Sequence, residues 1–334
     1  LFSFKPRLAQ VEMYFPFVQS AAIVLAERRS VRPVLDFVAR GLLHPAPTMR
    51  LLRFFSREDG HGIPRSIVVD SLLKIGRAHV RLGLTAGQRV DLLIAHHAAL
   101  RRAMRPEVLT GFLGGAPIRL AEMPGDRADE YELLLLRAPF GDRREGEATL
   151  SLRSRASGVR LADVTFTIGG SAQTASCLRI GGVQGPPGPE GRAAVKAATK
   201  ALDGLRPNAV VIEAAYQLAL GFGASTIFAT SLSHHVLRGT RKGAVIQAGL
   251  YDAFWEELGG LRLPDGDYLL PRQPSDRNAA DVPARRRKHW ERRQRRLDDL
   301  AVEIRLSMAG LGEARMQGAD HRPTLPHCLT RLAA

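Results

Sequence analysis

The sequence predicts a mixed α+β protein: an antiparallel meander continuing into a mixed α/β sheet flanked by helices, with a helical N-terminal region and a basic C-terminal helix. Three observations predict it. After Pro124-Gly125-Asp126 the hydrophobic period changes from helical to two. Residues 177–260 run strand, Gly/Pro loop, two helices, strand, histidine pair and an amphipathic helix closed by Gly259-Gly260. Residues 285–296 are dense in Arg at helical spacing. The chain is expected to divide into a helical region (1–125), a mixed core (126–275) and a basic helical tail with a loosely ordered end (276–334).

In the first region, Val31, Val34, Leu35, Val38 and Leu42 form one helical face, and the His-Pro-Ala-Pro run at 44–47 breaks it. A second helix is expected from 66 to 73 or 75. Thr85 is a good N-cap for a helix over 86–104, which Arg105-Pro106 ends. Strands follow at 131–137, 147–155, 162–168 and 175–183. In the second of these Ala148, Leu150 and Leu152 alternate with Thr149, Ser151 and Arg153, which predicts a meander with one wet face. The loop 184–191 leads into helices at 192–205 and 209–222, parted by Arg206-Pro207-Asn208. Residues 226–230 read as a short strand buried on both faces, 251–258 as a helix, 268–270 as a late strand and 278–306 as the basic helix.

The chain has 334 residues, 45% of them hydrophobic, and a formal net charge of +15 from 48 Lys and Arg against 33 Asp and Glu. That excess favours anionic partners, or else reflects a solvated surface with an Arg-rich tail. Two cysteines, Cys177 and Cys328, sit in no CxxC and no metal-type His spacing, so neither a disulfide framework nor a metal site is expected. Cys177 reads as a small buried apolar residue. No apolar run reaches the ~20 residues of a membrane span. The expectation is a soluble cytoplasmic protein.

Several phrases carry a resemblance: IGGVQGP at 180–186, ATKALDGLRPN at 198–208, His234 or His235, YDAFWEELGG at 251–260, Leu270-Pro271, and Asp281 followed by a basic run ending in LDDL at 297–300. Together they resemble the VirK/YbjX family of bacteria, over about residues 31–304. The resemblance implies a cytoplasmic accessory factor of unresolved activity, linked to virulence, envelope stress and tolerance of antimicrobial peptides.

The order of elements also resembles an acyl-CoA N-acyltransferase core, which implies acyl-CoA as donor. In that fold the amides of a loop opening a helix face the pyrophosphate. Here the segment is Gln184, Gly185, Gly188, Gly191 and Arg192, with Lys196 one turn on. Pro186, Pro187 and Pro189 have no N–H to donate, so a rigid crossover is the competing reading. Tyr251 falls where such enzymes keep a general acid, and it also fits an aromatic packing face with Phe254 and Trp255. His234 and His235 follow the strand at 226–230, at the C-terminal edge where α/β proteins carry sites. Glu213, among apolar neighbours, reads as a base or as the partner of Arg206. His96 and His97 read as packing histidines.

A third reading concerns the tail. Arg285, Arg286, Arg287, Lys288, Arg292 and Arg293, with Trp290 among them, suit an acidic lipid surface or RNA; the competing reading is a solvated helix paired with Glu291, Asp298 and Asp299. No helix-turn-helix, zinc-finger or RNP wording accompanies the run.

Overall fold

The computed structural model describes residues 21–22, 24–27, 31–57, 62–125, 130–139, 142–171, 174–238, 240, 248–271 and 282–312. Asp281, the expected helix start at 278 and Cys328 lie outside the described residues.

After helical residues at 21–22 and 24–27, five helices follow among the described residues: α1 (Val31–Leu43), α2 (Pro45–Ser56), α3 (Arg65–Lys74), α4 (Ala86–Ala103) and α5 (Pro106–Gly114). The prolines that break α1 start α2, because Pro is tolerated where a first-turn N–H has no partner. Thr85 caps α4 through a full capping box with Gln88. In α1 the expected apolar face is only partly covered: Val34 and Val38 are half-buried against the smaller core cluster. Phe37 and Gly41 are buried, while Val31, Leu35 and Leu42 are exposed. The bulkiest side chain, Phe37, turns the helix and takes the core position.

The sheet has eight strands: β1 (Ile118–Pro124), β2 (Glu130–Arg137), β3 (Ala148–Ser154), β4 (Arg160–Ser171), β5 (Thr174–Gln184), β6 (Thr226–Ala229), β7 (Leu261–Arg262) and β8 (Tyr268–Leu270). Their spatial order is β1-β2-β3-β4-β5-β6-β8-β7. The β5–β6 pair is parallel and every other pair antiparallel. Between β5 and β6 run α6 (Gly188–Ala201) and α7 (Pro207–Gly221), the crossover a parallel pair requires. A 3₁₀ turn (Leu232–His234) and α8 (Ala248–Glu257) follow β6, and α9 (Ala284–Leu311) ends the described chain.

Several expectations change. β1 belongs to the stretch read as helical. β6 alternates half-buried and buried residues, because only one of its faces is fully covered. The helix expected at 192 starts at Gly188, so Gly188 and Gly191 lie in its first turn and not in a free loop. The meander has no wet face at its centre. Leu150, Leu152, Val164 and Phe166 join the main core on one side, while Thr149, Ser151, Thr165 and Thr167 are also buried on the other. Thr149 and Thr165 share a 3.0 Å hydroxyl hydrogen bond, so cross-strand pairing replaces hydration there.

Two apolar clusters result. The larger joins the sheet to α7, α9 and part of α4 and α5. The smaller lies among α1 to α4. Helix α4 contributes to both: Val90 and Leu93 face the smaller, Ala99 and Leu100 the larger. The second half of α9 is also core, burying Leu300, Ala301, Ile304, Met308 and Leu311. There Ser307 Oγ donates to the Leu120 carbonyl (2.7 Å) and Glu303 accepts the Glu122 N–H (2.8 Å). The helix thus covers the outer edge of β1, which would otherwise be open to pairing.

Candidate active site

The register of β5 creates the site. β6 pairs with β5 from Cys177 to Ile180 and stops, while β5 runs on along β4 to Gln184. Past Ile180 one side of β5 has no strand partner among the described residues. Gly181 and Gly182 lie there because Glu145 presses on them: a Cβ on Gly181 would overlap the Glu145 carbonyl, and one on Gly182 its carboxylate. Gln184 Nε2 donates to both Glu145 oxygens, at 2.9 and 2.8 Å. The IGGVQG wording is therefore the seat of a buried glutamate.

Around Glu145 the chain gathers the C-terminal side of the sheet. His235 Nε2 lies 3.7 Å from Glu145 Oε1. Its Nδ1 accepts the Leu237 N–H at 3.3 Å, so the ring proton sits on Nε2 and faces Glu145. Burial, with Arg144 nearby, pulls His235 down to about 4, so the ring is neutral at physiological pH. Tyr251 meets His235 edge-on, with ring centroids 5.4 Å apart, and Trp255 at 5.8 Å. Trp255 is pinned by its indole N–H to the Thr230 carbonyl (3.2 Å). The Tyr251 hydroxyl is buried and has no hydrogen-bond partner among the described residues. Burial, reinforced by Glu145, Asp252 and Asp267, pushes it well above 10 and keeps its proton on.

His234 has a different carboxylate. In the 3₁₀ turn its Nδ1 is 2.9 Å from Asp267 Oδ1. Asp267 also accepts the N–H (3.1 Å) and hydroxyl (3.2 Å) of Ser231 and pairs with Arg81 at 2.7 Å. Asp252 accepts the Leu232 N–H at 2.7 Å. His234 closes the 3₁₀ turn and His235 follows it in extended backbone, so each histidine meets its own acid. Arg81 arrives from the segment before α4, where Val80 holds φ 62 and its N–H donates to the Arg144 carbonyl (2.7 Å). Positive φ at a β-branched residue is strained, by about 1–3 kcal/mol.

A second polar centre lies one residue beyond Gly146. Glu147 pairs with Lys74, and His79 Nε2 is 3.0 Å from it. Burial alone would raise the Glu147 carboxyl, but Lys74, His79 and His96 hold it well below its usual range. His96 and His97 are buried as packing residues. Burial lowers them to about 3 and about 4, with His97 adding to the effect on His96. His96 Nδ1 accepts the Ile168 N–H at 3.3 Å, and His97 stacks on Phe54.

Of the residues singled out from the sequence, His235, Tyr251 and Gln184 converge on Glu145, and His234 adjoins them through Asp267. Glu213 does not join them. It accepts from Gln217 Nε2 at 2.7 Å on α7, whereas Arg206 pairs with Glu257 at 3.8 Å, so the expected Glu213–Arg206 pair is replaced. Gly185, Arg192 and Lys196 line a cleft of about 550 Å³ beside α6. Gly191 packs where a Cβ would touch Pro186. On α9, Arg285, Arg286, Arg287 and Lys288 are exposed, Arg292 is 3.5 Å from Asp203, and Arg293 lies beside Gly204. The sequence reading missed Glu145, Asp267, Asp252 and Arg81. The signals were two carboxylates spaced by a glycine at a strand start (Glu145-Gly146-Glu147) and again before a strand (Asp265-Gly266-Asp267).

Fold and site define a class: a mixed α/β protein with one parallel strand pair and a buried carboxylate–histidine–tyrosine centre at its C-terminal edge. The chain belongs to the family described as "Protein of unknown function (DUF535)", whose model matches residues 26–305. It is 28% identical over 286 residues to "Uncharacterized protein YbjX" of Escherichia coli (strain K12), covering 85% of each chain. It is 25% identical over 160 residues to an "Uncharacterized protein" of Haemophilus influenzae, covering 48% of this chain and 52% of that one. The VirK/YbjX resemblance is thereby borne out. No solved structure matches. Among the described residues no helix is long and apolar enough to cross a membrane.

Proposed function

We propose that the chain is a cytoplasmic enzyme of the acyl-CoA N-acyltransferase type, acting as an accessory factor in envelope-stress tolerance. The observation that carries the reading is the strand order around one parallel pair. β5 outruns β6 there, and a buried tyrosine hydroxyl without a hydrogen-bond partner among the described residues stands near a buried glutamate at the gap.

The roles follow from the chemistry of transfer. The amine nitrogen of the acceptor attacks the thioester carbonyl, and the C–S bond breaks. Glu145, oriented by Gln184 and His235, takes the amine proton. Tyr251, whose proton is retained at physiological pH, gives one to the departing thiolate. His235 is neutral, with Nδ1 occupied by the Leu237 N–H and the Nε2 proton facing Glu145, so it positions the carboxylate and does not itself accept the proton. The prolines of the 184–191 segment offer no amides, so a donor's phosphates would be met by side chains. Thermal shift of the full chain with CoA and acetyl-CoA tests the reading: both stabilise it if the reading holds. Absence of any shift at about 100-fold above a micromolar Kd removes it.

A second reading rests on one observation, the solvent exposure of Arg285, Arg286, Arg287 and Lys288 at the start of α9. These cations would hold the protein to an anionic lipid surface. Sedimentation with phosphatidylserine vesicles should fall with salt and vanish when the four are changed to Gln. Retention by the changed protein rules this reading out.

A further inference from the structure

Three candidates stand outside the centre just described. The Lys74–Glu147–His79 cluster is closed and internally paired. The exposed apolar residues of α1 have no element packed over them among the described residues. The cleft between α6 and the start of α7 has volume, unmatched charge and a second wall.

We propose that this cleft binds a small organic phosphate carrying two or more phosphoryl groups, held by Arg192, Lys196, Lys200 and Arg206. Arg192, Lys196 and Lys200 recur at i, i+4 and i+8, so they form one stripe along α6, and all three line the cleft. Among the described residues no carboxylate pairs with any of them. Like charges at this spacing repel by a few tenths of a kcal/mol per pair in an isolated helix. The fold keeps that repulsion and adds Arg206 across the cleft, where its only ion pair among the described residues is an exposed one with Glu257 at 3.8 Å. The acid next to the cleft is unavailable. Asp203 is held by Arg296 at 2.7 Å and Arg292 at 3.5 Å, which drops its carboxyl below its usual range.

The rest of the lining suits an organic phosphate. Asn208 stands in the first turn of α7, a helix of 15 residues with no acid in that turn, so the helix dipole adds to the cations. Leu161 and Val195 supply an apolar wall for the non-phosphate part. A volume of about 550 Å³ falls among small-molecule sites and favours a small ligand over a polymer. The cleft also adjoins the catalytic centre, since Gly185 lines it and Gln184, the residue before, bonds Glu145. The inference rests on the acyl-transfer reading only in making CoA one such phosphate.

The test is calorimetry and thermal shift of the full chain with pyrophosphate, adenosine 3′,5′-bisphosphate, CoA and, as the phosphate-free control, pantetheine. The three phosphates should bind and pantetheine should not. The variant Lys196→Gln/Lys200→Gln should lose about tenfold or more in affinity for each, while its unliganded Tm stays within about 2 °C of the parent because both side chains are exposed. Tyr251→Phe should bind the phosphates unchanged. Binding of pyrophosphate and the bisphosphate without CoA upholds the cleft and removes the acyl-CoA reading. Binding of CoA that the lysine variant leaves untouched overturns the cleft and spares that reading. Binding of RNA or heparin alone, with no response to the small phosphates, also overturns it.

Discussion

A methyl group on Gly181 would collide with the backbone carbonyl of Glu145, which cannot swing away. Gly181→Ala should therefore destabilise the protein by about 3 kcal/mol, read as a lower urea midpoint at unchanged slope. Gly182→Ala meets a carboxylate at the end of a flexible side chain and should cost less. Tyr251 makes the opposite prediction. Its hydroxyl is buried without a partner among the described residues, a burden of about 1–3 kcal/mol. Tyr251→Phe should leave stability unchanged or raise it, while abolishing turnover if the hydroxyl is the proton donor. A clear loss of stability would mean that the hydroxyl is bonded in solution. These residue roles were only half legible. The glycines and His235 stand out in the sequence, but Glu145 lies more than 30 positions from Gly181, and nothing local marks them as touching.

At the scale of elements, local chemistry set the boundaries where a side chain meets its own backbone. Thr85 and Gln88 close the start of α4 through 2.9 and 3.2 Å bonds, and the sequence declares that cap. Thr85→Ala should cost about 1 kcal/mol and lower the thermal midpoint, since the first-turn N–H groups lose their acceptor. An unchanged midpoint would mean that water serves them as well. Elements defined by distant partners were harder to read. β1 exists because Ile118–Pro124 pairs with β2 and is covered by α9, more than 170 residues away. Its own pattern is short and follows a helix, so it passed as part of the helical region. The polar stripe of the meander misled for a related reason. Thr149 and Ser151 look solvated in sequence, yet α4 packs over β4 on that side, the Thr149 hydroxyl pairs with Thr165, and Ser151 Oγ accepts from Arg153 Nε at 3.1 Å.

For the whole molecule the buried histidines set an acid limit. His96, His97 and His235 titrate at about 3, 4 and 4 in the folded state against 6.5 ordinarily, because burial disfavours the charged ring. His79, also buried, is lowered too. The unfolded chain therefore takes up protons that the folded chain refuses. Stability is fully present above about pH 6.5 and is lost as pH falls toward 4, by up to about 1.4 kcal/mol per pH unit for each histidine. Thermal midpoints measured from pH 7 to 4.5 should fall steadily. A flat profile would show that the rings are charged in the fold. Changing His96 to Gln should make the decline shallower.

By itself the amino-acid order determined most helices and strands between residues 131 and 230, the helical crossover after the Gly/Pro segment, and the family. Each of these depends on side-chain periodicity, caps and turn residues that act within a few positions. Only the tertiary structure decided which acids face His234 and His235, that Glu213 stands apart from them, and that three cations on α6 share a cleft with Arg206. Those pairings join segments far apart in the chain, and burial and charge act through space.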